Sequence, residues 1–270
     1  MKEKIYRTRC GSIHYWIQMA DSGKKTLVFL PGLAADHRLF ERQVGYFEKR
    51  YNVFVWDAPG HGVSWPFSFE FDLMDKAVWL KGIFDKENIT KPIIIGQSMG
   101  GYVGQAYSQL YPKTLNGFIA IDSAPLQKKY VTGIELWVMK RMEPLYYYCP
   151  WKQLLKSGTD RAAVSDYGRN LMHDIIMGYY GNKKRYAQVC GHGFRILADA
   201  MEKDLPYEIT CPALLICGKK DRAFSCIRYN RAWHKNTGIP LIWIEGAGHN
   251  SNTDQPDMVN RIIEGFVMKK

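Results

Sequence analysis

The chain has 270 residues, 46% hydrophobic and 23% charged, a composition that fills a sizeable core and excludes a disordered polypeptide. No apolar run approaches the length of a bilayer span, which argues against a membrane-spanning helix. The net charge of +11 is spread along the chain, with its tightest cluster at Lys183-Lys184-Arg185. A solvated cationic surface is therefore expected, and no nucleic-acid partner.

The first ten residues, MKEKIYRTRC, are charged and lack the apolar stretch of a secretion signal, so a cytoplasmic location is expected. Six cysteines, at positions 10, 149, 190, 211, 217 and 226, form no C-x-x-C pair and read as free thiols of a reducing compartment. Cys217 lies inside an apolar run and reads as a small core residue. No zinc-ligand spacing, Walker A loop or internal repeat occurs.

In chain order, Ile5-Tyr6 and Ile13 to Met19 read as two opening strands joined around Gly11-Ser12. Thr26 to Leu30 is a continuous apolar run suited to a buried strand, and it leads into Pro31-Gly32. A helix is expected from about Arg38 to Lys49, with Leu39, Phe40, Val44 and Phe47 on one face and Asp36 as its N-cap. Val53 to Trp56 is the next strand, ending in the loop Asp57-Ala58-Pro59-Gly60-His61-Gly62. Asp72 and Asp75 open a helix carrying Leu73, Ala77, Leu80 and Phe84 at helical spacing. A strand–turn–helix unit runs from Pro92 to about Tyr111. Phe118 to Ile121 is a further strand, ending at Asp122. From about Leu126 to Leu205 the pattern is helical, rich in Met and aromatic residues, with no buried strand. Strands resume at Ala213 to Cys217 and Leu241 to Ile244, and a final helix spans roughly Pro256 to Val267. Strands alternating with helices predict a mostly parallel sheet covered on both faces.

The unit Gly96-Gln97-Ser98-Met99-Gly100 carries the chemistry. A short apolar run enters Gly-x-Ser-x-Gly and a helix leaves it, so Ser98 sits at the apex of a sharp turn. Glycines are needed where a Cβ would crowd that turn. The free N–H groups at the start of the following helix can stabilise an oxyanion. A serine hydroxyl is a poor nucleophile unless a base takes its proton. Ser98, Asp221 and His249 each follow a predicted strand, and in parallel sheets the carboxyl ends of the strands gather functional groups. Asp122 also ends a strand and competes with Asp221 as the acid.

The order serine, acid, histidine, together with the Gly96–Gly100 turn, the Asp57–Gly62 loop with Ser64, Gly218-x-x-Asp221, and Gly246-x-Gly248-His249 followed by Asp254-x-Pro256, resembles the α/β-hydrolase family over nearly the whole chain. The resemblance implies an eight-stranded α/β sheet with helices on both faces. It also implies a core of residues 1–125 and 206–270, with a helical cap over 126–205 inserted after the sixth strand. It implies Ser98 as nucleophile, His249 as base and Asp221 as the acid orienting the imidazole. Some relatives carry the acid where Asp122 stands. The backbone N–H of Met99 is implied as one oxyanion donor and that of Leu33 as the other, although Pro31-Gly32 replaces the His-Gly of many relatives. His61 is implied to be structural. Asp57 is expected to brace its own turn through hydrogen bonds to backbone N–H groups.

The reading expects a cofactor-free, metal-free serine hydrolase of the carboxylesterase type. Its partner is a small ester-type substrate with an apolar or aromatic group; thioesters and lactones are chemically close. Trp137, Tyr147 and Trp151 are the aromatic candidates for a substrate pocket in the cap. Residues 126–205 hold 13 Lys and Arg against 8 Asp and Glu, which suits either an anionic substrate or a solvated basic lid. Carbon–carbon bond hydrolysis, perhydrolysis and a small-molecule receptor are the alternatives open on the same residues.

Overall fold

The computed structural model describes residues 1–19, 23–223 and 225–269. Its strands are β1 (Lys2–Thr8), β2 (Gly11–Gln18), β3 (Thr26–Leu30), β4 (Asn52–Trp56), β5 (Ile93–Gln97), β6 (Gly117–Ile121), β7 (Ala213–Gly218) and β8 (Leu241–Ile244). They form one sheet in the spatial order β1-β2-β4-β3-β5-β6-β7-β8. β1 with β2 and β2 with β4 are antiparallel, and every later neighbour is parallel. The helices are α1 (Glu41–Phe47), α2 (Leu73–Lys86), α3 (Met99–Leu110), α4 (Gly133–Met139), α5 (Met142–Tyr148), α6 (Trp151–Ala162), α7 (Asp166–Met177), α8 (Lys183–Glu202), α9 (Cys226–Thr237), α10 (Ser251–Asp254) and α11 (Pro256–Met268).

Every residue of β3, β4, β5 and β6 is buried, as a parallel sheet covered on both sides requires. Side chains alternate across a strand, so one run feeds two cores. Val28, Leu30, Phe54, Trp56, Ile94 and Phe118 pack with Ala77 of α2 and Val103 of α3. Leu27, Phe29, Val53, Val55, Ile95 and Ile119 pack on the other face with Phe47 of α1 and Ile263 of α11. The helices α4 to α8 lie between β6 and β7, with α5 against α8, α6 against α7, and α8 also meeting α2.

Two local readings change, and helix α9 has no counterpart among the expected elements. The first hairpin turns at Arg9-Cys10, where Thr8 pairs with Gly11, so β1 is longer than Ile5-Tyr6. The helix expected from Arg38 to Lys49 divides into a 3-10 turn, His37–Phe40, and α1. Asp36 caps the 3-10 turn by accepting from the N–H of Arg38. Helix α9 has no hydrophobic signature because its buried positions are Cys226, Asn230 and Trp233, a narrow stripe with one amide in it. The capping box at Asp72 and Asp75 forms with both reciprocal hydrogen bonds, and Pro256 stands in the first turn of α11. Among the described residues, no helix is long and apolar enough to cross a membrane.

Candidate active site

Ser98 follows β5 directly and has φ 48° and ψ −115°, a left-handed backbone that a non-glycine residue adopts only under constraint. The constraint comes from its neighbours. A Cβ on Gly96 would lie 2.4 Å from the Gly100 backbone, and one on Gly100 would lie 1.9 Å from the Leu30 carbonyl oxygen. The strand and helix thus approach more closely than any side chain allows. Gly100→Ala is expected to lower unfolding free energy by about 3 kcal/mol, the upper range for overpacking, measured as a shift in the urea midpoint. An unchanged midpoint would show that the turn tolerates a methyl group.

The Ser98 N–H donates to Ile121 O at 2.9 Å, and the Ser123 hydroxyl donates to Ser98 O at 2.8 Å. These bonds hold the apex on the end of β6. Residues 93–97 and 99–101 are buried, whereas Ser98 keeps partial access to solvent.

His249 stands in the loop after β8, where Gly246 takes φ 74°. Its Nε2 is 2.9 Å from the Ser98 Oγ, and its Nδ1 is 2.9 Å from Asp221 Oδ2. Asp221 follows β7, has a fully buried carboxylate, and accepts from the Ala223 N–H at 2.8 Å through its other oxygen. Burial disfavours the charged imidazole, but the Asp221 charge and hydrogen bond outweigh it, so the His249 pKa is raised. Burial works against the Asp221 carboxylate too, and His249 reverses it, so the Asp221 pKa is lowered.

Asp122 ends β6 beside this pair and does not reach the imidazole. Its oxygens accept from the N–H groups of Gly218 (2.7 Å) and Ser251 (2.8 Å) and from the Ser251 hydroxyl (2.9 Å). Burial first, then repulsion from Asp221, push its pKa up. Two neighbouring buried carboxylates are thereby driven apart in acidity, and the one facing the histidine stays ionised.

The loop after β3 runs against the serine: a Cβ on Gly32 would lie 3.1 Å from the Ser98 Cβ. Leu33 follows, and its side chain abuts α8, where a Cβ on Gly193 would meet it at 2.3 Å. Met99 begins α3, so its N–H belongs to the helix-start groups that lack an intrahelical acceptor.

His61 and Asp57 stand apart from this cluster. His61 is buried, its Nδ1 lies 3.0 Å from Pro59 O, and burial followed by the nearby Lys76 pulls its pKa down to about 3. The Asp57 carboxylate accepts from the N–H groups of His37 (2.7 Å) and Val63 (2.8 Å), bracing its own turn. The three cap aromatics are not joined to the serine by any hydrogen bond or ring contact among the described residues. Trp137 is 57% exposed under the Arg141 guanidinium, and Tyr147 is 48% exposed and meets Tyr148 edge-on. Trp151 packs between Tyr180 and Tyr186.

A second layer was not legible in the sequence. Gln97 Nε2 donates to His249 O at 2.8 Å and to Asn250 Oδ1 at 2.9 Å. The Asp254 carboxylate accepts from the N–H groups of Gly248 (2.7 Å), Val164 (2.9 Å) and Ser165 (2.8 Å). The Asn250 N–H donates to Ala162 O at 2.7 Å. The histidine loop is therefore bonded to the turn between α6 and α7. Asp254-x-Pro256 was the available signal, but spacing cannot reveal that the aspartate reaches a segment 90 residues away. Asp254→Ala is expected to leave three N–H groups unpaired, to cost on the order of 1–3 kcal/mol, and to accelerate amide exchange at Gly248, Val164 and Ser165. Unaltered protection at those amides would rule out the link.

A family model described as the alpha/beta hydrolase family matches residues 27–262. The chain belongs to the α/β hydrolase family. It is similar to 3-oxoadipate enol-lactonase 2 of Acinetobacter baylyi, with 22% identity over 92% of this chain and 90% of that protein. It is also similar to (E)-2-((N-methylformamido)methylene)succinate hydrolase of the same organism, with 23% identity over 89% of each. The solved enol-lactonase from Burkholderia xenovorans LB400 shares the fold, with a TM-score of 0.78 and 20% identity over 98% of this chain and 100% of that one.

Proposed function

We propose that this chain is a serine hydrolase that cleaves a carboxylic ester, cyclic enol esters included, through an acyl-enzyme on Ser98. The observation that carries the reading is the continuous line Ser98 Oγ, His249 Nε2, His249 Nδ1 and Asp221 Oδ2, with both contacts at 2.9 Å. His249 takes the hydroxyl proton as Ser98 attacks the acyl carbon, then passes it to the leaving alcohol. Asp221 keeps the Nδ1 proton in place and stabilises the imidazolium. The N–H groups of Met99 and Leu33 receive the developing oxyanion. Water then attacks the acyl-enzyme, with the same histidine as its base.

The named activities of the relatives support hydrolysis as the reaction class, and the enol-lactonase supports an ester bond within a ring. Helices α4 to α8 form the lid over the site in this reading, and α8 bears on the Leu33 loop. The test combines labelling by a fluorophosphonate probe with a panel of p-nitrophenyl esters, thioesters and enol-lactones. Labelling at Ser98 with turnover of oxygen esters is the expected result. Absence of both labelling and turnover across the panel would remove the proposal.

A further inference from the structure

Cys217 closes the apolar part of β7, Asp221 follows four residues later, and Cys226 is the first residue of α9. The loop from β7 to α9 folds these three together. One donor atom from each, two Sγ and a carboxylate oxygen, all lie within 4.8 Å of one another. The three are buried, at 0%, 7% and 6% exposure, and both thiols are free. Asn230 lies one helical turn beyond Cys226, and its Nδ2 donates to Ser123 O at 2.8 Å and to Cys226 O at 3.0 Å and lies 3.3 Å from the Cys226 Sγ, which holds that thiol in place.

Two sulfurs and a carboxylate make three donors for a thiophilic, tetrahedral dication of the zinc type, and a poor set for magnesium or calcium. A surface cavity of about 480 Å³ borders this corner at Asp221 and Ser225. Arg228, Arg231 and Lys235 on its wall repel a dication and would slow its entry.

We propose that Cys217, Cys226 and Asp221 form an inhibitory site for a thiophilic dication of the zinc or cadmium type, with solvent completing its coordination. On binding, each thiol loses its proton to solvent and the two thiolates and the carboxylate coordinate the ion. Asp221 is the carboxylate whose Oδ2 holds His249 Nδ1 at 2.9 Å. An ion on Asp221 withdraws its charge from that bond, so the imidazole loses its orienting partner and hydrolysis stops. The inhibitory consequence rests on the proposed triad; the binding itself does not.

The test uses the full chain, dialysed against chelator and titrated with zinc chloride or cadmium chloride. One equivalent is expected by calorimetry, with the ultraviolet cadmium–thiolate charge-transfer band rising in step. Cys217→Ala and Cys226→Ala should each weaken binding by at least about 100-fold, since even outer partners of metal sites cost 10–100-fold. Cys149→Ala, remote from the cluster, controls for adventitious thiol binding and should keep the band. The downfield His249 Nδ1 proton resonance should shift or vanish as the ion binds. Ester turnover, scaled to each variant's own metal-free rate, should fall with the same midpoint in wild type and recover with EDTA. The double variant Cys217→Ala/Cys226→Ala should resist. Absence of the band, or its persistence in the double variant, overturns the site. Binding that leaves the Nδ1 proton untouched overturns the inhibitory step, whether or not the chain proves to be an esterase.

Discussion

Ser98→Ala is expected to abolish fluorophosphonate labelling and to lower kcat for p-nitrophenyl esters by about 10⁴-fold or more. The substitution removes one oxygen and leaves the apex intact, because the main chain there is held by the Ile121 and Ser123 hydrogen bonds. The oxyanion donors and the substrate contacts survive, so residual turnover above the uncatalysed rate is also expected. KM should change little, since the hydroxyl contributes mainly to the bond-making step. Full activity in this variant would exclude Ser98 as the nucleophile and return the site to an unknown chemistry.

The second large effect separates two aspartates that stand on adjacent strands. Asp221→Asn is expected to lower kcat by about 10³–10⁴-fold with the fold intact, because an amide at that position no longer selects the productive imidazole tautomer. Asp122→Asn should behave differently. Its carboxylate accepts from two backbone N–H groups and a hydroxyl, tying β7 and the histidine loop to the end of β6. Replacing one oxygen by an NH₂ group sets donor against donor there, so the loss should appear mainly as a lower unfolding midpoint. Steady-state kinetics and urea unfolding on both variants decide it. A collapse of kcat in Asp122→Asn with unchanged stability, beside an active Asp221→Asn, would reverse the assignment.

How much of this was legible follows from how local each signal is. The turn at Ser98 is written within five residues because glycine is demanded by contacts made inside the turn and against β3. The strands were legible because parallel sheets buried on both faces produce uninterrupted apolar runs, as in Ile93 to Ile95. His249 and Asp221 were legible as residues at strand ends, since topology sends those ends to one rim. Strand-end position by itself did not choose between Asp221 and Asp122, because β6 and β7 are neighbours and both deliver a carboxylate to that rim; the family resemblance favoured Asp221. In the structure it is Asp221 that lies 2.9 Å from His249 Nδ1. The aromatic residues of α4 and α5 illustrate a different limit. A short amphipathic helix reveals that it has two faces, but its sequence does not say which face meets solvent, and Trp137 and Tyr147 lie on the exposed one.

Sequence by itself determined the class of this protein: the order of strands and helices, the serine at the apex of its turn, and the aspartate and histidine that follow later strands. Those features depend on backbone geometry and burial within a few residues, and such constraints leave local marks. The tertiary structure alone showed the contact between Asp221 and His249, how Gln97 and Asp254 bind the histidine loop to the turn between α6 and α7, and that Cys217, Asp221 and Cys226 share one corner. These are pairings between segments brought together by the sheet, and a hydrogen bond across such a distance in the chain leaves no periodicity behind.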